Sequence, residues 1–153
     1  MAALQKSEVD WVENSIGDML PPLRNVGSIT VEIRDPTGLM GGMRLNQLAR
    51  PFNNPAIRRA MLKAVSQQDF CIACVGEDPS LWRVPTGIFC PQSPYEVFLG
   101  KRDYDAARQE IEAAGYKGEK VVLLAPTDVP VPKAQADVCG DMRKRSAWTS
   151  TSR

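Results

Sequence analysis

Four cysteines, Cys71, Cys74, Cys90 and Cys139, are the side chains of this 153-residue sequence best suited to metal or thiol chemistry. Cys71 and Cys74 stand three positions apart, so on a helix their sulfurs share one face. By count the four make a thiolate zinc set. Cys90 and Cys139, however, do not form the second closely spaced pair that makes such a reading strong. Buried small hydrophobic side chains are the expected state of most of them. Histidine is absent. Its absence removes the commonest general base near neutral pH, the usual catalytic triad and the commonest metal ligand. The stretch Gly38-Leu39-Met40-Gly41-Gly42-Met43 suggests a phosphate cradle, but the lysine and the serine or threonine of a P-loop are missing, and a turn is expected instead. These residues do not favour an enzyme, and neither a metal nor another cofactor is expected.

The elements that must position these residues start from an ordinary composition. A net charge of +1 gives no electrostatic case for a nucleic acid or an anionic membrane as partner. The cluster Arg143-Lys144-Arg145 is too short to change that. The length suits one domain with a real core, which can fold without disulfide staples, so the cysteine count does not reveal the compartment. No apolar run approaches the roughly 20 residues that span a bilayer, and the N-terminus lacks a basic-then-apolar signal peptide.

Val9-Asp10-Trp11-Val12 reads as a short strand, and Ser28 to Arg34 alternates with the period of a half-buried one. Arg44-Leu45-Asn46 opens or completes a third. Asp18 to Arg24 suits a short helix or turn broken by Pro21-Pro22. A firm helix follows Asn54, its expected cap, with Pro55 in the first position and Ile57, Met61, Leu62 and Val65 on one face. Arg58 and Arg59 then point elsewhere, as a solvated or salt-bridged face. Ser66 to Asp69 resembles a capping box for a second helix, which Gly76 ends. Residues 77–102 form a long segment without periodicity. Asp105 is expected to cap a helix with Ala107, Ile111 and Ala114 on its packed face and Gly115 as its stop. Val121-Val122-Leu123-Leu124 has the all-apolar character of a strand covered on both sides. Lys133 to Met142 reads as a last helix, and the polar stretch 143–153 as a tail that adds no strand or helix to a core. Strands alternating with helices point to an α/β layer domain.

Several of these segments, in order, resemble the peptide, nickel and opine class of ABC-transporter solute-binding proteins, the bacterial extracellular solute-binding proteins of family 5. The resemblance runs through Ser7-Glu8-Val9-Asp10-Trp11, then Arg44-Leu45-Asn46, then Pro51-Phe52-Asn53-Asn54-Pro55-Ala56-Ile57-Arg58-Arg59-Ala60. Tyr104-Asp105 through Ala113-Ala114-Gly115-Tyr116 and the run Val121–Leu124 complete it, so that about residues 3–142 are covered. The resemblance implies an α/β fold, a periplasmic-binding-protein-like lobe of the class II type with a short mixed sheet flanked by helices. It divides the chain into the end of lobe one and the hinge-crossing strand (1–45), part of lobe two (46–142), and a disordered or aberrant tail (143–153). Family members are several times longer, so the chain looks like an excised middle, and the tail looks like the result of a lost reading frame or a truncated gene.

By the same resemblance the protein is not an enzyme. It is the substrate-binding component, or a fragment of one, of an importer, located in the periplasm. Its partners are then a peptide or other small solute and the ABC permease membrane subunits, with no nucleic acid. The ligand sits between the lobes, so Asn46 beside the crossing strand and Trp82 and Phe89 in the long segment are the candidate ligand-binding residues, with Trp11 and Glu13 contributed from the lobe-one end. Trp82 and Phe89 equally suit sealing a small core, and Asn46 equally suits pinning the hinge backbone. A disulfide from Cys90 to Cys71 or Cys74 is compatible with an oxidising periplasm. Two other readings stay open. One is a standalone interaction module that self-associates through the surface left by the missing lobe one, and the other a small cysteine-dependent metal or redox protein.

Overall fold

The computed structural model describes residues 2–13, 17–35, 38–84, 101–146 and 150–152. Among them lie α1 (Ala2–Gln5), a 3-10 turn (Gly17–Met19) leading into α2 (Leu20–Arg24), α3 (Pro55–Ala64), α4 (Gln67–Val75), α5 (Tyr104–Ala113), β1 (Val121–Leu123), α6 (Pro130–Arg145) and β2 (Ser150–Ser152). Two helix pairs organise the chain: α3 packs against α5, and α4 against α6.

The caps explain where the middle helices begin. The Asn54 side chain accepts from the Ala56 N–H at 2.9 Å, and Pro55 takes the first position, where its missing N–H costs nothing. Ser66 does the same for α4, accepting from Asp69 N–H at 3.3 Å, and Gly76 closes that helix at φ 89°, a backbone region that disfavours side chains. For α5 the cap is Asp103, which accepts from Ala106 N–H at 2.9 Å. This corrects the expectation for Asp105. That residue lies inside the first turn and pairs with Arg108 at 2.9 Å. Gly115 stops α5 at φ 83°, as its position after the apolar face predicts.

The core consists of Ile57, Ala60, Met61, Ala64, Ala107, Ile111, Val121 and Met142, with Phe52, Val65, Tyr104 and Tyr116 packed around it. Ala60 and Ala107 are fully buried. Small residues there let α3 and α5 approach closely, and the buried face of α3 is centred on Ala60 and Ala64, not on the larger Leu62, which is 46% exposed. Arg58 does leave that face, and its guanidinium donates to the Phe52 carbonyl at 2.6 Å.

Other expectations need correction. The segments 9–12, 28–34 and 44–46 are in no ladder. A strand is stable only against a partner, and the described residues provide none for them. The described ladder is parallel, pairing Val121 with Ser150, Val122 with Thr151 and Leu123 with Ser152. β1 is covered on one side only, since Val121 is buried while Val122 is 48% exposed. Pro21 and Pro22 fall in the first turn of α2, where they are tolerated, and do not break it. α6 runs beyond the expected 133–142 at both ends, so residues 143–145 belong to a helix and 150–152 to a strand.

Candidate functional site

Asn46 is exposed, and its side chain accepts from Leu48 N–H at 3.0 Å while its carbonyl accepts from Ala49 N–H at 3.3 Å. It therefore holds the turn that leads to Pro51. Trp82 is half-buried, and its indole N–H is shielded from solvent and has no hydrogen-bond partner among the described residues. Trp11 is 63% exposed and Glu13 is exposed. Phe89 and Cys90 lie outside the described residues.

Two small clefts are lined by residues other than these. One, of about 150 Å³, is formed by Leu20, Arg24, Val31, Glu32, Ile33 and Leu81. Its charges are balanced locally: Arg24 pairs with Asp78 at 3.2 Å and Glu32 with Arg34 at 2.9 Å. Hydrogen bonds from Ser80 and Arg24 hold the Asp78 carboxyl below its ordinary range.

The second cleft, of about 130 Å³, lies where the starts of α4 and α5 meet the end of α6, with Asp69, Arg102, Tyr104, Asp141 and Arg145 among its lining. Arg102 pairs with Asp69, and that bond raises its pKa further. Arg102 and Arg145 both lie over the Tyr104 ring, at 5.2 and 5.9 Å from its centre, a cation–π arrangement. Arg145 also reaches Asp141 at 3.6 Å. Sequence reasoning did not find this cleft, because its two arginines are far apart along the chain and neither has a distinctive local pattern.

The described cysteines are free. Cys71 Sγ donates to the Arg83 carbonyl at 3.7 Å, and Cys139 Sγ lies 3.5 Å from Met43 Sδ. Among the described residues no three histidine, cysteine, aspartate or glutamate side chains converge to hold a metal ion. Burial raises all three thiol pKa values, helped at Cys71 by the neighbouring Cys74 and opposed at Cys74 by a hydrogen bond with Gln135. The nucleophilic thiolate is thus suppressed at neutral pH. Labelling with a disulfide reagent at pH 8 should be slower for each of these thiols in the folded chain than in urea. A thiol that reacts faster when folded would contradict the assignment.

The cap at Asn54, the paired α3 and α5 and the following strand β1 come in the order of the motifs that carry the resemblance. A family model for bacterial extracellular solute-binding proteins, family 5, middle region, matches residues 1–144. The chain belongs to this family. Membership in family 5 implies a periplasmic-binding-protein fold. A probable peptide ABC transporter periplasmic-binding protein of Sinorhizobium fredii (strain NBRC 101917 / NGR234) is 31% identical over 134 residues, covering 84% of this family 5 chain and 25% of that protein. The chain thus spans a quarter of the length of this curated relative. Among the described residues no helix is long and apolar enough to cross a membrane.

Proposed function

We propose that this chain is part of the substrate-binding component of an ABC importer for peptides or related small solutes. The component captures its ligand between two lobes in the periplasm and delivers it to the membrane permease, making and breaking no covalent bond. The observation that carries this reading is the family match across residues 1–144, and the relative described as a probable peptide ABC transporter protein supports the ligand class. In this reading residues 1–45 end lobe one and cross the hinge, and residues 46–142 form part of lobe two, with helices flanking a short mixed sheet. Residues 143–153 are an aberrant tail to this lobe, although α6 runs into them as far as Arg145. Asn46, Trp82 and Phe89 line one wall of the ligand site, with Trp11 and Glu13 at the lobe-one end. Ligand closes the lobes by hinge motion, and the closed form docks on the permease.

Ligand sites that enclose a small molecule usually offer about 300–1,000 Å³. The two clefts described above are well below that, at about 150 and 130 Å³. The chain alone should therefore bind peptide weakly, and micromolar affinity by calorimetry would overturn that expectation. Trp82 tests the wall directly, because its indole N–H has no acceptor among the described residues and a ligand carbonyl would supply one. Titrating the chain with a mixed short-peptide pool at millimolar concentration should move the indole N–H resonance of Trp82, identified by its loss in Trp82→Phe. Movement of the other indole resonances with that of Trp82 unchanged would remove Trp82 from the site.

A further inference from the structure

Cys71 and Cys74 stand three residues apart in α4, both half-buried and with free thiols. On a helix that spacing places their Cα atoms about 5 Å apart, inside the roughly 4.4–6.8 Å that a disulfide spans. Burial raises the Cys71 pKa and the neighbouring Cys74 raises it further, so the two side chains sense each other. We propose that Cys71 and Cys74 close a reversible disulfide within this one helical turn. The pair is chosen by position. Cys139 belongs to α6, is 6% exposed and has its Sγ against Met43 Sδ at 3.5 Å. Cys90 must be brought up by its own chain segment, whereas Cys71 and Cys74 are neighbours whenever α4 is formed.

Closing the bridge disturbs little. Cβ atoms at this spacing lie about 5–6 Å apart on a regular helix and must approach to roughly 4 Å. Cys74 is in the last turn of α4, ahead of its stop at Gly76, and no residue of α4 is buried, so that turn tightens without moving the core. The thiols give up only long, weak bonds, from Cys71 Sγ to the Arg83 carbonyl at 3.7 Å and from Cys74 Sγ to the Val131 carbonyl at 4.0 Å. Rotation about χ1 takes each sulfur from its carbonyl toward the other. The reaction is thiol–disulfide exchange with an external disulfide. One cysteine thiolate attacks a sulfur of that disulfide and expels a thiolate; the second then attacks the protein sulfur of the mixed disulfide and expels the other. The two protons of the cysteines end on the two thiols released, so the external disulfide is reduced as the pair is oxidised. Because burial raises both thiol pKa values, exchange is slow at neutral pH and quickens as pH rises. The oxidising periplasm of the proposed function supplies the setting only, and the bridge itself rests on α4.

Mass mapping of the full folded chain tests this without any ligand, so the outcome is independent of the transport reading. The chain is incubated with oxidised glutathione at pH 8, alkylated and cut after lysine and arginine. Residues 64–83 then carry Cys71 and Cys74, residues 84–101 carry Cys90 and residues 134–143 carry Cys139. Fragment 64–83 should lose both alkylation sites and be lighter by two hydrogens than its reduced form, regaining both sites after dithiothreitol, while Cys139 stays alkylated. Both sites still alkylated, stable glutathione adducts, or fragment 64–83 joined to 84–101 would each overturn the proposal. A displaced pair checks that the helix is the template. Ala73→Cys combined with Cys74→Ser sets the thiols two residues apart, on faces that do not meet, and should leave them unbridged. Bridging of the displaced pair as fast as the native one overturns the proposal as well.

Discussion

Ile111→Ala should cost about 2–5 kcal/mol, a large share of the roughly 5–15 kcal/mol that keeps a domain folded. Ile111 is 2% exposed and packs in the α3–α5 cluster with Ile57, Met61 and two fully buried alanines. Truncation removes its transfer energy and leaves a cavity. How much of the cavity persists depends on whether neighbours can move in. Here they have little reach: Ala60, Ala64 and Ala107 have no rotamers to adjust, and the close approach they permit already brings the helix backbones together. The loss should therefore fall in the upper part of the range. Ile111→Val, which removes one methylene, should cost about 0.5–1.5 kcal/mol. Urea unfolding followed by circular dichroism reads both from the midpoints at unchanged slope. Equal, small losses for the two variants would mean that the α3–α5 contact is not the centre of the fold.

The features legible in the sequence are those decided within a few residues. Asn54-Pro55, Ser66 to Asp69, Gly76 and Gly115 mark helix ends by local backbone chemistry, and the structure has helices starting or stopping at each of them. Errors of one turn or less have the same local origin. Asp103 and Asp105 are equally good caps by residue type, and only the position of Tyr104 in the first turn decides between them. Leu62 is expected on the packed face by its spacing with Ile57, Met61 and Val65, but it is 46% exposed, and Ala60 and Ala64 are buried on that face. Strand pairing is a different matter. The alternation of 28–34 states which side chains share a face and says nothing about which edge is available, since the partner is remote in sequence or in another chain. The cleft around Tyr104 was illegible for the same reason, its arginines coming from the residue before the cap of α5 and from the end of α6. Of the ligand-wall candidates, Asn46 is found holding a turn and Trp82 with a shielded donor that has no partner among the described residues, and sequence position alone distinguishes neither state.

Asn54→Ala should cost about 2–3 kcal/mol, more than loss of an ordinary helix cap, which is typically about 1 kcal/mol. The difference arises because this side chain bonds in two directions. Its oxygen accepts from Ala56 N–H at 2.9 Å at the start of α3, and its amide nitrogen donates to the Ala114 carbonyl at 2.9 Å at the end of α5. Alanine leaves both backbone groups without these partners, and the residue is half-buried, so water replaces them only in part. A partly buried carbonyl left unpaired adds about 1 kcal/mol or more. Asn54→Asp separates the two roles. The carboxylate still caps α3 and gains from the positive end of the helix dipole, but it cannot donate to Ala114 and instead sets an anion against that carbonyl. Hydrogen exchange at Ala56 should then stay slow in Asn54→Asp and become fast in Asn54→Ala, while both variants unfold at lower urea than the parent chain. If Asn54→Asp were as stable as the parent, the bond to Ala114 would contribute nothing, and the two helices would be held by their apolar faces alone.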